Sequence, residues 1–108
     1  MCHGSAALAH LKVPGTNTNM LEGHRVTGIS NKEIEMLSSG IVEPFSVEDE
    51  LNKASGGKYE MADKAFTERV VISKGPDGRV IITGQNPASG TALGKAIYEK
   101  LFGMPHSG

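Results

Sequence analysis

The chain has 108 residues, enough for one small domain and too few for two. Its 11 basic and 12 acidic residues give a net charge of -1 and are interspersed. That pattern excludes the basic footprint of nucleic-acid binding or of docking on anionic lipid. No apolar run is long enough to cross a membrane, and Met1-Cys2-His3-Gly4-Ser5 lacks the basic and apolar regions of a secretory signal. A single cysteine excludes an internal disulfide framework, so the expected setting is cytoplasmic.

In chain order, residues 4–12 are rich in small helix formers and predict a short helix, stopped by Pro14 and Gly15. Residues 15–23 are polar and turn-like. Arg25 to Ser30 predict a short strand. Asn31 is the expected N-cap of a helical turn running to Leu37, with Glu33 in the first turn, where the helix dipole favours an acid. Ser46-Val47-Glu48-Asp49 resembles a capping box, with Asp49 in the place usually taken by Glu or Gln. Val47, Leu51 and Ala54 follow at helical spacing, and Gly56 and Gly57 end that helix. The β-branched runs 70–72 and 80–82 flank Gly75-Pro76-Asp77-Gly78, a hairpin signal. Ser89 is the expected cap of a last helix whose Leu93, Ala96, Ile97 and Leu101 form one apolar stripe. Gly103 and Pro105 terminate it. The 14 glycines sit at the ends of periodic segments rather than in low-complexity tracts, and read as turns and helix stops.

Helix, strand, helix, helix, hairpin, helix is an α/β order, and a helix opening it leads to the expectation of a strand ahead of it. The chemistry-bearing segment is Met1-Cys2-His3-Gly4. A cysteine just before a helix lies near unpaired N–H groups and the positive end of the helix dipole, which favour the nucleophilic thiolate. His3 is placed to exchange a proton with it. Gly4 is expected to permit the tight turn, and the N–H groups that follow to face a developing oxyanion. Without further support, a lone cysteine is more often a small buried hydrophobe. Cys2, His3, His10, His24 and His106 show no paired metal-ligand spacing. His10 reads as a helix-surface residue and His106 as part of a frayed tail. Asn86 and Pro87 read as turn formers, and Glu48, Asp49 and Glu50 as capping and surface charge.

Five segments, in order, resemble the ThiJ/PfpI family of glyoxalase and stress proteins. They are the elbow Cys2-His3-Gly4-Ser5-Ala6-Ala7-Leu8, the stretches 21–30 and 44–51, Gly57-Lys58-Tyr59-Glu60, and the run 80–89 with Thr83-Gly84-Gln85-Asn86-Pro87-Ala88-Ser89. The usual elbow has proline where this chain has Ser5. The resemblance implies the C-terminal portion of a flavodoxin-like (class I glutamine amidotransferase-like) three-layer sandwich without its N-terminal strands. It implies one partial domain over 1–108, with the elbow at 1–5 and the later strands and helices at 24–103. The implied activity is that of a glutathione-independent glyoxalase of the larger, chaperone-type branch, converting methylglyoxal and water to lactate without cofactor or metal. Cys2 would be the nucleophile, His3 the acid/base and Glu33 the acid orienting His3, with Glu35 the alternative. Against this stands the reading that both acids are solvent-facing helix-start residues. The implied partners are a small 1,2-dicarbonyl substrate and either a second copy or a missing N-terminal segment that completes the sheet. Neither nucleic acid nor membrane is expected. A non-enzymatic stress chaperone or redox sensor, and a cysteine peptidase or amidase, are the alternative functions.

Overall fold

A computed structural model describes residues 1–37, 45–75 and 78–103. Pro44, the hairpin-loop residues Pro76 and Asp77, and the terminal Pro105 and His106 lie outside the described residues.

The architecture is α/β. A 3-10 helix spans Cys2–His10, followed by α1 (Asn31–Leu37), α2 (Val47–Ala54), the strands β1 (Val70–Lys74) and β2 (Val80–Gly84), and α3 (Gly90–Leu101) entered through a 3-10 turn at Pro87–Ser89. The predicted hairpin forms, with each strand two residues longer than its β-branched run. Its antiparallel register pairs Val70 with Gly84, Ile72 with Ile82 and Lys74 with Val80.

The first helix begins at Cys2 rather than residue 4 and takes the tighter 3-10 form. It stops at His10, ahead of Pro14, because the 11–20 segment folds back on itself. Met20 N–H donates to the Leu11 carbonyl at 2.9 Å, and Asn19 Nδ2 donates to the Ala9 carbonyl at 2.6 Å. Residues 15–23 form turns, as expected.

The strand predicted over 25–30 is extended backbone with a single parallel bridge, Val26 to Tyr59. Its other potential neighbours answer with side chains instead of a backbone ladder. Ser73 Oγ accepts from Arg25 N–H at 3.0 Å, and Thr83 Oγ1 accepts from Thr27 N–H at 2.9 Å. Two of the segment's N–H groups are thereby satisfied without joining the sheet.

α1 is capped by Ser30, not Asn31. Ser30 Oγ accepts from Glu33 N–H at 3.1 Å, and Glu33 Oε1 accepts from Ser30 N–H at 3.0 Å, a reciprocal capping box. Asn31 instead ties α1 to α2, its N–H donating to Glu48 and its amide to Asp49. The Ser46 cap on α2 forms as predicted, accepting from Asp49 N–H at 3.1 Å. Ser89 precedes α3, but its hydroxyl makes no cap bond; it lies against Arg69, accepting from the Arg69 N–H at 2.9 Å.

The core gathers Ala6 and Ala9 from the 3-10 helix, Leu21 from the turns that follow it, Val26 and Ile29 from the extended segment, and Val47 and Leu51 from α2. Burying each of the larger aliphatic side chains contributes about 1.5–3 kcal/mol. On α3 the predicted stripe is covered only in part. Ala96 is buried, but Ile97 is 42% and Leu101 75% exposed, beside exposed Tyr98 and Phe102. Among the described residues, no helix is long and apolar enough to cross a membrane.

Candidate nucleophile site

Cys2 opens the first helix in a left-handed conformation, with φ of 56°. A side chain in that region costs about 1–2 kcal/mol, so the surrounding structure must hold it there. A strained residue presented at the start of a helix is one part of a nucleophile elbow, which is a strand-to-helix turn. Cys2 is half-buried and its Sγ lies 3.7 Å from Nδ1 of the exposed His3. The predicted thiol–imidazole pair is therefore brought together.

The conformational demand falls on Cys2 rather than Gly4. Gly4 has no positive φ and open space around its α-carbon, and its N–H donates to the Met1 carbonyl at 2.9 Å. That N–H is already engaged and does not face outward for an oxyanion. A close backbone approach is made instead by Gly28. A methyl there would come within 2.6 Å of Leu51 Cδ1, 3.2 Å of Ser5 Cβ and 3.3 Å of the Cys2 carbonyl oxygen. The carbonyl of Cys2 also accepts from Ile29 N–H at 3.4 Å. Met1 packs near Gly84 at the end of β2, so the residue before the cysteine lies beside the hairpin.

Glu33 is fully buried, contrary to the reading that it faces solvent, whereas Glu35 is exposed. Oε1 accepts from Ser30 N–H, Ser30 Oγ and Gln85 Nε2; Oε2 accepts from Phe66 N–H and Asn86 Nδ2, all between 2.8 and 3.0 Å. Five donors meet the roughly four lone-pair sites of a carboxylate, so its accepting capacity is spent on this network. Burial opposes its ionisation, but the bonds from Gln85, Ser30, Asn86 and Phe66 outweigh that and hold its carboxyl below the ordinary glutamate value. Gln85 and Asn86 are buried members of this network and not simply turn formers; Asn86 also donates to the Thr67 carbonyl. The spacing Ser30-x-x-Glu33 was the sequence signal for the network, since it spells a capping box.

A cleft of about 380 Å³ runs beside Ser30, Lys32, Glu48, Met61, Asp63 and Gln85; neither Cys2 nor His3 lines it. Among the described residues, no three His, Cys, Asp or Glu side chains gather as a metal site.

No family model matches the chain, and no curated protein matches it. Two solved structures do. One is the Rapid Encystment Protein 24 kDa of Francisella tularensis, 40% identical, with a TM-score of 0.76, covering 93% of this chain and 41% of that protein. The other, whose name carries no function, is 26% identical, with a TM-score of 0.76, covering 93% of this chain and 42% of its own. The chain thus spans about two fifths of the length of the solved proteins it resembles. The assignment to the ThiJ/PfpI family is corrected on these findings, because nothing that matches points to it. The resembling segments have structural reasons of their own. Gln85 and Asn86 hold Glu33, Thr83 holds Thr27, Ser89 holds Arg69 and Gly28 admits Leu51.

Proposed function

We propose that this chain performs cysteine-based chemistry on a small carbonyl compound, with Cys2 as nucleophile and His3 as its acid/base. The observation that carries the reading is the left-handed Cys2 at a helix start with His3 Nδ1 at 3.7 Å. A 1,2-dicarbonyl such as methylglyoxal suits the pair, because its aldehyde is electrophilic and the carbon–hydrogen bond of the adduct is acidified by the neighbouring ketone. The Cys2 thiolate adds to the aldehyde carbon to give a hemithioacetal. His3 takes the proton from that carbon and an enediol forms. Return of a proton to the second carbon leaves a lactoyl thioester, in which the former aldehyde carbon is oxidised and the ketone carbon reduced. Water then releases lactate and the free thiol, so methylglyoxal and water balance lactate with no external oxidant. Glu33, the acid expected to orient His3, has both oxygens on donors from Ser30, Phe66, Gln85 and Asn86, and this reading assigns it only the holding of that turn.

The finer fold in this proposal is part of a flavodoxin-like three-layer sandwich. Its support is the α/β composition and the two-fifths coverage of longer solved proteins. The exposed apolar residues of α3 support completion by a second copy or by a further segment of the fold. Sedimentation of the chain tests this point: a monodisperse monomer at micromolar concentration and above argues against a second copy.

The decisive measurement is lactate formation from methylglyoxal by the full chain. Turnover is expected to disappear in Cys2→Ala and fall at least about a hundredfold in His3→Ala. Turnover that survives Cys2→Ala removes the mechanism.

A further inference from the structure

A continuous line of hydrogen bonds joins Tyr59 to Cys2. Its hydroxyl donates to the Gly28 carbonyl at 2.8 Å. The Gly28 carbonyl and the Ile29 N–H belong to one peptide group, and that N–H donates to the Cys2 carbonyl at 3.4 Å. Hydrogen bonds arranged head to tail through a peptide group polarise one another, so a donor on the carbonyl strengthens the N–H at the other end. The anchor at the Tyr59 end is firm. Its backbone bridges Val26, and its N–H donates to Asn52 Oδ1 at 3.3 Å. Burial, together with the negative charges of Glu48 and Glu33, pushes the phenol well above its ordinary value, so the hydroxyl stays protonated and remains a donor. Gly28 admits this arrangement because a side chain there would strike Leu51, Ser5 and the Cys2 carbonyl.

We infer that Tyr59 is a positioning residue for the nucleophile, holding Cys2 in its left-handed conformation through the Gly28–Ile29 peptide. The inference rests on the reading of Cys2 as a reactive thiol and adds a residue 57 positions away in sequence that no local motif around the cysteine contains. The line ends on the strained residue itself. Losing the hydroxyl lets the 28–29 peptide drift and the Cys2 carbonyl with it, which changes how Sγ is presented to His3. The ring of Tyr59 is not needed for this, so a phenylalanine keeps the packing and removes only the donor.

The test uses the full chain and two readouts. The first is the second-order rate of Cys2 alkylation by iodoacetamide, followed by intact mass under conditions where the protein is folded. The second is hydrogen exchange of the Ile29 amide. Tyr59→Phe is expected to slow alkylation about fivefold and to speed Ile29 exchange by a similar factor, the scale of one lost hydrogen bond. The amide of Leu51, in the core, should be unaffected, and Tyr98→Phe, on exposed α3, should change neither readout. A merely structural role for Tyr59 would lower global stability and leave the alkylation rate of the folded protein unmoved; that result overturns the inference. Where Tyr59→Phe does not fold, 3-fluorotyrosine in the Tyr98→Phe background supplies a stronger donor at Tyr59 alone. It should slow Ile29 exchange, and an unchanged rate overturns the inference equally. Failure of the underlying reading looks different: wild-type Cys2 would then alkylate no faster than in the urea-unfolded chain, whatever stands at position 59.

Discussion

The Cys2 turn and the Glu33 network are attached to the same short stretch, residues 28–33, and are built on opposite principles. Glu33 is a charge removed from water and surrounded by five donors, one of them the N–H of Phe66, itself left-handed with φ of 61°. Cys2 is half-buried, sits in a backbone region that disfavours side chains, and offers its sulfur to one exposed imidazole. A buried polar network is stable only when every member is satisfied, and a satisfied one is rigid. A left-handed cysteine persists only where its surroundings over-determine it. The two regions divide the labour: the polar network anchors one end of the 28–33 stretch, and the strained Cys2 is hung from the other.

Breaking the anchor should give the largest effect. Glu33→Gln sets an amide N–H2 against several N–H donors and should cost about 3 kcal/mol in denaturant unfolding at neutral pH. A loss below about 1 kcal/mol would mean that the network is not the anchor. The same group makes a pH prediction. Its folded value is depressed, so its stabilisation is present above the ordinary glutamate value of about 4.3 and is lost as pH falls through the lower folded value. Wild-type protein should lose stability across that acid window relative to Glu33→Gln, and the two curves should converge at the acid end.

The joint between the two regions is next. Gly28→Ala places a methyl 3.3 Å from the Cys2 carbonyl and 2.6 Å from a Leu51 methyl. Leu51 can turn aside, but the backbone cannot as readily, so a loss of about 2 kcal/mol is expected by thermal or chemical unfolding. A change in Cys2 alkylation should accompany it.

The smallest effect sharpens the comparison most directly. Cys2→Gly removes the strain along with the thiol, whereas Cys2→Ala removes only the thiol. The glycine variant should be more stable than the alanine variant by about 1 kcal/mol, contrary to the usual order at a helix start. Equal stability would show that position 2 is not strained in solution.

Legibility was uneven for physical reasons that particular residues make plain. The hairpin and the Ser46 cap follow from local chemistry, β-branched runs around a glycine-rich turn and a hydroxyl three residues ahead of an amide, and both appear as read. Ser30 and Asn31 are both good caps by residue type; what decides is Glu33 bonding back to Ser30, a contact that burial against Gln85 and Asn86 reinforces. The strand expected over 25–30 has suitable residues, but strand pairing needs a backbone neighbour, and Ser73 and Thr83 offer side chains there. The α3 stripe has helical spacing, yet spacing does not say whether anything covers Ile97 and Leu101.

By itself, then, the order of residues determined the elements that depend on neighbours within a few positions: the short N-terminal helix in outline, α2 with its cap, the hairpin, α3, and the adjacency of Cys2 and His3. The burial of Glu33, the close approach at Gly28, and the link from Tyr59 to the Cys2 carbonyl come from packing between distant parts of the chain. Tyr59 and Gly28 are 31 positions apart, and Asn86 and Glu33 are 53 apart. Bonds of that separation depend on how the chain is packed in three dimensions, and no local propensity encodes them. Cys2 can be picked out as a cysteine beside a histidine from the letters alone; that it is held in a left-handed turn is a property of the folded chain.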